Sequence, residues 1–353
     1  MNRYIRLIIG FCIASTTGVV IAQAESNITP VSVDNFSRAE TDTIMAYYVH
    51  KGKLGVFHHA YKPTPITEQK VVRMNRDTLY SIAIFDLDVG PVTLTLPETN
   101  GRYMTAQSID EEHYTDDVFD ARKIKTRTYF KKGVGTGDIG IDTRYMALVV
   151  RTMVAPQNND DVKAANKLQN EIKVSQNIIG ETKAKFNIPN WDSNSQTRLR
   201  DALKVLGTTI TNSERMFGSK ENVNPIHHLI GAAVGWGGLP SSNAMYIPRH
   251  PKNNDGKHTE TLTVKNVPVN GFWSISVYDS EGYFKKNSLN SYSVNSVTAA
   301  KNKDGSVTIQ FGNCTYSTPN CIPVMPRWNY TVRLYEPRKK LLDGSWTFPQ
   351  IKP

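Results

Sequence analysis

Three groups of side chains in this sequence have residue types and spacings that could do chemistry. The first is Asn75-Arg76-Asp77 with Tyr80. An adjacent Arg and Asp most simply form a structural ion pair. On a strand, however, neighbours face opposite ways, so each could find its own partner. An Asp77 buried beside Tyr80 would have a perturbed pKa and suit acid–base work. The second group is Asp110-Glu111-Glu112-His113, followed by Asp116, Asp117 and Asp120. Carboxylates around an imidazole bind hard cations or move protons. Their spacing fits no calcium loop, and a solvated loop is the plainer reading. The third group is aromatic: Trp236, Trp273, Tyr278, Tyr283, Phe284 and Tyr292. These rings could line a sugar-stacking groove. Strand parity puts Phe272 and Tyr278 on one face and Trp273 and Val277 on the other, so at least one of those faces is core.

Other patterns carry less. His58-His59 and His227-His228 are adjacent pairs, and adjacent side chains diverge on both helices and strands. A zinc site needs ligands that converge, so no metal and no cofactor are expected. Gly135-Thr136-Gly137-Asp138-Ile139-Gly140 matches a dinucleotide-binding pattern by letter. It lies between two strands and opens no helix, and the pyrophosphate needs a helix N-terminus. It reads as a glycine-rich loop. The zincin, P-loop and nucleophile-elbow motifs are absent.

The elements that must position these groups follow from periodicity. Residues 34–49 read as a helix, with Phe36, Ala39, Thr43 and Ala46 on one face and Asp34 or Asn35 as cap. Residues 70–151 read as strands, at 71–74, 78–85, 91–96, 103–109, 123–130 and 145–154. Val92, Leu94 and Leu96 alternate cleanly, and Gly, Pro, Asn and Asp separate the runs, which suggests an antiparallel sandwich. After Pro156 the period becomes helical. Val162, Ala165, Leu168 and Ile172 mark one helix, and Leu199, Ala202, Leu203 and Leu206 mark a second, with Asn194 as cap and Gly207 as stop. A third starts at Asn224-Pro225. Period two returns at 262–267, 272–278 and 329–335, with a hairpin expected between 297–300 and 307–310 across Asp304-Gly305. Strands, helices, then strands imply a mainly β chain with a helical bridge, not a βαβ fold. The expected divisions are 1–24, 25–62, 63–155, 156–222 and 223–353.

The first of these divisions is an address. Arg3 and Arg6 form a basic start, an apolar run extends from Leu7 to about Ala22, and Ala22-Gln23-Ala24 is a small-x-small cleavage signal. A signal peptide cleaved after Ala24 makes the mature chain periplasmic or secreted. No later stretch is apolar enough to span a bilayer, so no transmembrane segment is expected in the mature chain. Cys12 leaves with the leader. Cys314 and Cys321 remain, in a turn-rich loop, and in an exported protein they suggest a local disulfide, with two free thiols as the alternative. The formal charge of the whole chain is +10, and losing Arg3 and Arg6 leaves a strongly basic protein that favours anionic partners. Lys123, Lys125, Arg127 and Lys131 fall at period two, which predicts a basic stripe along one face of a strand. The stripe is either a charged edge that blocks aggregation or a docking surface for an anionic envelope polymer or glycan. Nucleic acid is not expected as a partner, because no nucleic-acid motif is present.

Specific wording recurs along these strands. Met74-Asn75-Arg76-Asp77-Thr78-Leu79-Tyr80-Ser81, Phe85-Asp86-Leu87 and Gly90-Pro91-Val92 mark the first half. His228-Leu229-Ile230-Gly231 and Gly235-Trp236-Gly237-Gly238 mark the middle. Gly271-Phe272-Trp273-Ser274-Ile275-Ser276-Val277-Tyr278, Val332-Arg333-Leu334-Tyr335-Glu336-Pro337 and Leu342-Asp343-Gly344-Ser345-Trp346 mark the last part. Together they resemble the paired domain of unknown function (DUF) 1254 and 1214 families, almost end to end after the leader. The resemblance implies an N-terminal immunoglobulin-like β-sandwich, a small α-helical domain and a C-terminal jelly-roll β-sandwich. It implies no activity. Many relatives resemble Asn-Trp-Leu-Pro where this chain has Asn320-Cys321-Ile322-Pro323, so ligand stacking at that spot does not carry over.

The resulting expectation is an exported ligand-binding or envelope-associated protein. One alternative is a hydrolase or lyase using Asp77, Tyr80, Asp110 and His113 at a domain interface, and another is a structural homo-oligomer. Arg76, Trp236, Trp273 and Tyr278 complete the candidate binding residues.

Overall fold

The computed structural model describes residues 28–69, 72–180 and 183–351. The leader, Cys12 and the Ala22–Ala24 cleavage signal lie outside the described residues. The first elements are β1 (Ile28–Thr29), α1 (Phe36–Lys51), β2 (His58–His59), β3 (Thr78–Asp86), β4 (Val92–Thr95) and β5 (Met104–Asp110). Then come β6 (Val118–Asp120), β7 (Thr126–Lys131), β8 (Ile139–Ile141), β9 (Tyr145–Met153), α2 (Asn159–Asn170), β10 (Lys173–Gln176) and β11 (Asn190–Trp191). The last part holds α3 (Ser193–Gly207), α4 (Pro225–Gly235), β12 (Ala244–Arg249), β13 (Glu260–Val264), β14 (Trp273–Tyr278) and β15 (Ser293–Asn295). It ends with β16 (Val307–Phe311), β17 (Cys321–Ile322), β18 (Asn329–Tyr335) and α5 (Lys339–Leu342). The chain is mainly β, as its periodicity implies.

The first half pairs two sheets, ordered β2-β3-β9-β5-β6 and β10-β4-β7-β8. Their facing residues form one core. Val92, Leu94 and Tyr129 come from one sheet, and Ala83, Phe85, Met104, Ala106, Met146, Leu148 and Val150 from the other. Each fully buried aliphatic side chain contributes about 1.5–3 kcal/mol. The outer face of the five-stranded sheet is covered as well. Ile82, Ile84, Ile109, Ala147 and Val149 pack under Met45 of α1 and beside Trp236. In turn α1, α3 and α4 share Phe36, Ala39, Leu203, Ile230 and Ala232. The helical layer therefore draws on α1 and α4 as well as the 156–222 stretch. Asn224 caps α4 through Ile226 N and His227 N, with Pro225 in the first turn, as the dipeptide predicts.

The second half pairs β12-β18-β14-β15 with β13-β16-β17. Ile275, Val277, Val332 and Leu334 meet Leu262, Val264, Ile309, Phe311 and Ile322 in a second core. The Cys314–Cys321 disulfide closes the loop after β16.

Four local expectations are corrected. Residues 72–74 form a turn and its exit rather than a strand, and Val71 lies outside the described residues. No hairpin joins 297–300 to 307–310. Asn295 Oδ1 accepts from Val297 N, Thr298 N and Thr298 Oγ1, which curls that segment into a turn. β16 pairs with β13 and β17 instead. The strand expected from Lys123 begins at Thr126, because Lys123 N and Ile124 N both bond the Asp120 carbonyl. The cap of α3 is Asp192, which accepts from Asn194 N and Ser195 N; Asn194 is already inside the helix.

Candidate functional site

The two sheet pairs meet through polar side chains and, beside them, through an aromatic cluster in which Tyr103 packs on Phe272 and Tyr335. Along β18, Tyr330, Val332 and Leu334 point into the second core, so Asn329, Thr331, Arg333 and Tyr335 point out toward the first half. On β14 the same parity puts Ser274, Ser276 and Tyr278 on that face. Cross-strand register aligns Tyr246, Arg333, Ser274 and Asn295 in one row across four strands.

The segment from Arg73 to Asp77 lies on this face. Arg73 Nη1 donates to Asn329 Oδ1 at 2.7 Å and Thr331 Oγ1 at 3.1 Å. Arg333 Nη2 donates to the Arg73 carbonyl at 2.7 Å, and Nη1 to Ser276 Oγ at 3.0 Å. Asn75 Nδ2 donates to the Tyr335 hydroxyl at 2.8 Å. Asp77 Oδ1 accepts from Asn295 Nδ2 at 3.1 Å and Ser293 Oγ at 3.3 Å, and Oδ2 has no partner although the residue is 0% exposed. Arg76 bonds the Thr64 carbonyl and lies over the Tyr292 ring. Arg76 and Asp77 thus take separate partners, as strand geometry allows.

Tyr80, Arg151, Thr105 and Gln107 lie on the outer face of the five-stranded sheet, at the end that α1 leaves bare. Arg151 Nη1 donates to Gln107 Oε1 at 2.7 Å, Nη2 bonds the Gly237 carbonyl, and the guanidinium lies 5.5 Å from the Tyr80 ring centre. Tyr80 and Tyr246 keep accessible surface deep in the protein, close to Arg333 and Tyr335, which places a chamber between the two polar faces. Burial raises the pKa of Tyr103, Tyr246 and Tyr335, which keeps their hydroxyls protonated. The oxygens of Tyr246 and Tyr335 already accept, from Leu239 N and Asn75 Nδ2, so their O–H groups remain to donate.

Cations outnumber carboxylates around this chamber. Ion pairs among the described residues engage Arg38, Arg102, Arg122, Arg127, Arg144 and Arg200. Arg73, Arg76, Arg151 and Arg333 form none among the described residues. Arg151 is 4% exposed and Arg333 3%. Asp77 acts on Arg76 and Arg333 from nearby without touching either. Burial lowers the Arg73 and Arg76 pKa values; it would lower Arg333 too, but the Tyr278 and Tyr335 oxygens outweigh it. Isolated buried cations are costly, and proteins normally pair them.

Asp110 and His113 belong to a neighbouring group. Asp110 Oδ1 accepts from Glu112 N at 2.9 Å and Tyr114 N at 2.7 Å, so the carboxylate holds a turn. Burial, helped by Asp116 and Glu112, pushes its pKa up to about 8. His113 stacks between Trp236 and His228, and burial drives its pKa well below the ordinary value. Trp236 Nε1 donates to Thr41 Oγ1 at 3.0 Å. Gly237 N donates to His113 Nε2 at 2.9 Å. A path of backbone and side chain therefore runs from His113 through Gly237 to Arg151 and Tyr80, while Asp77 and Asp110 stay in separate groups. Among the described residues no three His, Cys, Asp or Glu side chains are placed to hold a metal ion.

The basic stripe is not a free cationic surface. Lys123 pairs with Glu336, Lys125 with Glu98, Arg127 with Asp117 and Lys131 with Asp88. Arg127 and Lys131 share the parity of Tyr129, which is buried in the first core, so they lie along the sandwich margin where carboxylates reach them. Trp273 is core, packed near Phe348, and Tyr278 is fully buried in the polar interface. Neither lines an open groove. The glycine-rich loop joins β7 to β8, where a side chain on Gly137 would strike the Thr128 carbonyl.

A cleft of about 870 Å³ opens beside the chamber, lined in part by Asp116, Asp117, Arg215, Asn243 and Asp343. Phe217 also lines it, and that ring sits edge-on to Tyr246.

Arg151 and Tyr246 lie in none of the quoted motifs, while Arg333, Tyr335 and Ser274 lie in them with no role attached. The available signal is a lone arginine inside a strand that carries no other charge, at Arg151 and again at Arg333.

Residues 54–176 match the family model described as protein of unknown function (DUF1254), and residues 248–339 the one described as protein of unknown function (DUF1214). No curated protein matches. Among solved structures, the VPA0106 protein of Vibrio parahaemolyticus is similar at 19% identity and a TM-score of 0.67, covering 91% of this chain and 99% of that one. An uncharacterized protein from Burkholderia cenocepacia is similar at 13% identity and a TM-score of 0.52, covering 87% and 85%. These likenesses show a shared fold. With both family models matched in order along its length, the chain belongs to the paired DUF1254/DUF1214 family.

Proposed function

We propose that this chain is an exported ligand-binding protein of the cell envelope, and that its ligand is a small anion held between the two sheet pairs. The observation that carries the reading is the burial of Arg151 and Arg333 without an ion pair, in a chamber rich in N–H and O–H donors. An anion supplies the opposite charge that Arg151 and Arg333 lack and an acceptor for the Tyr246 and Tyr335 hydroxyls. Carboxylates match this chemistry best, because guanidinium presents parallel N–H groups to a planar pair of oxygens. The cleft lined by Phe217 is the approach.

The test is thermal unfolding and calorimetric titration of the protein lacking residues 1–24, against short-chain carboxylates, sulfonates and phosphate. A ligand at a hundredfold excess over Kd stabilises by about 2.7 kcal/mol. Arg151→Gln and Tyr246→Phe should each weaken binding about tenfold or more, since a hydrogen bond to a charged group is worth about 1.5–3 kcal/mol. Absence of any stabilising anion in this series rejects the reading. Export is tested separately, by the mass of the chain recovered outside the cytoplasm, which should begin at Glu25.

A further inference from the structure

Resting on that reading, we infer that the ligand carries a hydrogen-bond donor next to its carboxylate, making it a hydroxy- or amino-carboxylate, and that Asp77 Oδ2 and Ser274 Oγ receive this donor. Both residues are 0% exposed, and neither atom has a partner. They are neighbours by register: Ser274 pairs with Asn295, and Asn295 holds the other oxygen of Asp77. Ser274 also pairs with Arg333 on its other side. One row across the sheet thus runs from the Tyr246 hydroxyl and the Arg333 cation, which forms no ion pair among the described residues, to two atoms without a donor, Ser274 Oγ and Asp77 Oδ2.

Adjacent strands lie about 4.8 Å apart. That separation suits a donor on the carbon next to the carboxylate, or one carbon further. A plain carboxylate would satisfy the arginines and leave Asp77 Oδ2 unmet. A buried unmet carboxylate oxygen is costly, so the ligand that meets both ends of the row binds more tightly.

Calorimetric titration of the protein lacking residues 1–24 with propionate, L-lactate, D-lactate and L-alanine decides this. At least one of the last three should bind about tenfold more tightly than propionate, because a single hydrogen bond to a carboxylate is worth that ratio. Asp77→Asn puts an N–H group where the acceptor was and should erase the ratio. Ser274→Ala should reduce it, and serves alone if Asp77→Asn does not fold. Equal affinity for all four probes overturns the inference and leaves the anion reading standing. A preference that survives in the folded variants overturns it too, and shows a buried water on Asp77. If none of the four binds while another anion does, the donor-bearing carboxylate is rejected and the anion reading survives. If no anion of any class binds, both fall.

Discussion

The Tyr278 hydroxyl stands between Arg333 and Met74. It accepts from Arg333 Nη2 at 2.7 Å and donates to the Met74 carbonyl at 2.8 Å. This relay ties the second sheet pair to the Arg73–Asp77 segment of the first, and it explains why a tyrosine ends an otherwise core-forming strand. Tyr278→Phe removes both bonds and keeps the ring packed against Phe284. The expected loss is about 1–3 kcal/mol in urea unfolding, because Arg333 keeps a buried N–H without its acceptor. A variant as stable as the parent would remove the relay from any account of how the halves are joined.

Stability should respond to pH with opposite slopes at two neighbouring residues. Asp110 titrates near 8 when folded and near 3.9 when unfolded. The folded state then holds an extra proton between those values, and stability falls as pH rises through that window. Asp110→Asn should flatten the decline between about pH 5 and 8. His113 is depressed when folded, so its contribution is present above about 6.5 and is lost as pH falls below that value. His113→Gln should flatten the acid side instead. Unfolding curves collected across pH check both, and parallel profiles for parent and variants would contradict the two assignments.

Packing at Gly238, the last residue of the Gly235–Gly238 turn, leaves no room for a side chain. A Cβ on Gly238 would lie 2.3 Å from the Phe217 ring. Gly238→Ala should cost about 1–3 kcal/mol by overpacking. It should also displace Phe217 in the lining of the cleft, which near-ultraviolet circular dichroism of the aromatic residues would register.

Reduction should weaken the second sheet pair modestly. The Cys314–Cys321 bridge spans a sequence separation of 7, and closing so short a loop is worth about 2 kcal/mol in the chain-entropy account. The double substitution to serine, compared with the parent by calorimetry, measures it. An unchanged melting temperature under reductant would show that the β17 ladder alone holds the loop.

The ion-paired stripe makes a further prediction. Lys123→Gln with Lys125→Gln should leave retention on an anionic polymer unchanged at moderate salt, because Glu336 and Glu98 already neutralise those ammoniums. Loss of retention would restore the stripe as a docking surface.

What the sequence makes legible is local. Val92, Leu94 and Leu96 announce their strand because alternation is enforced by the pleat, and Asn224-Pro225 announces α4 because capping needs those residue types in that order. Asp304-Gly305 is a real turn, with Ser306 N bonded to Asp304 Oδ1, yet the strand before it does not exist. A turn signal does not say which strands pair, and the Asn295 side chain decides that question from outside the segment. The site shows the same division. Asp77 and Tyr80 stand out because they are polar in a strand neighbourhood, but the row on which Asp77 rests comes from residues 274, 295 and 333, brought together only by register. Likewise the basic stripe reads as free charge until the acids that reach it, at 88, 98, 117 and 336, are placed in space.

The seam between the halves mixes two kinds of contact: guanidinium, amide and hydroxyl groups bond across it, and beside them Tyr103 and Met153 pack on Leu239, Ala244, Phe272 and Tyr335. Wetting Asn329, Ser276, Thr331 and Arg73 exchanges one set of hydrogen bonds for another, whereas parting either core would strip oily surface bare. Separating the halves would therefore also lay bare the Tyr103, Phe272 and Tyr335 rings, so the polar bonds set how the two sheet pairs align and the rings hold them shut.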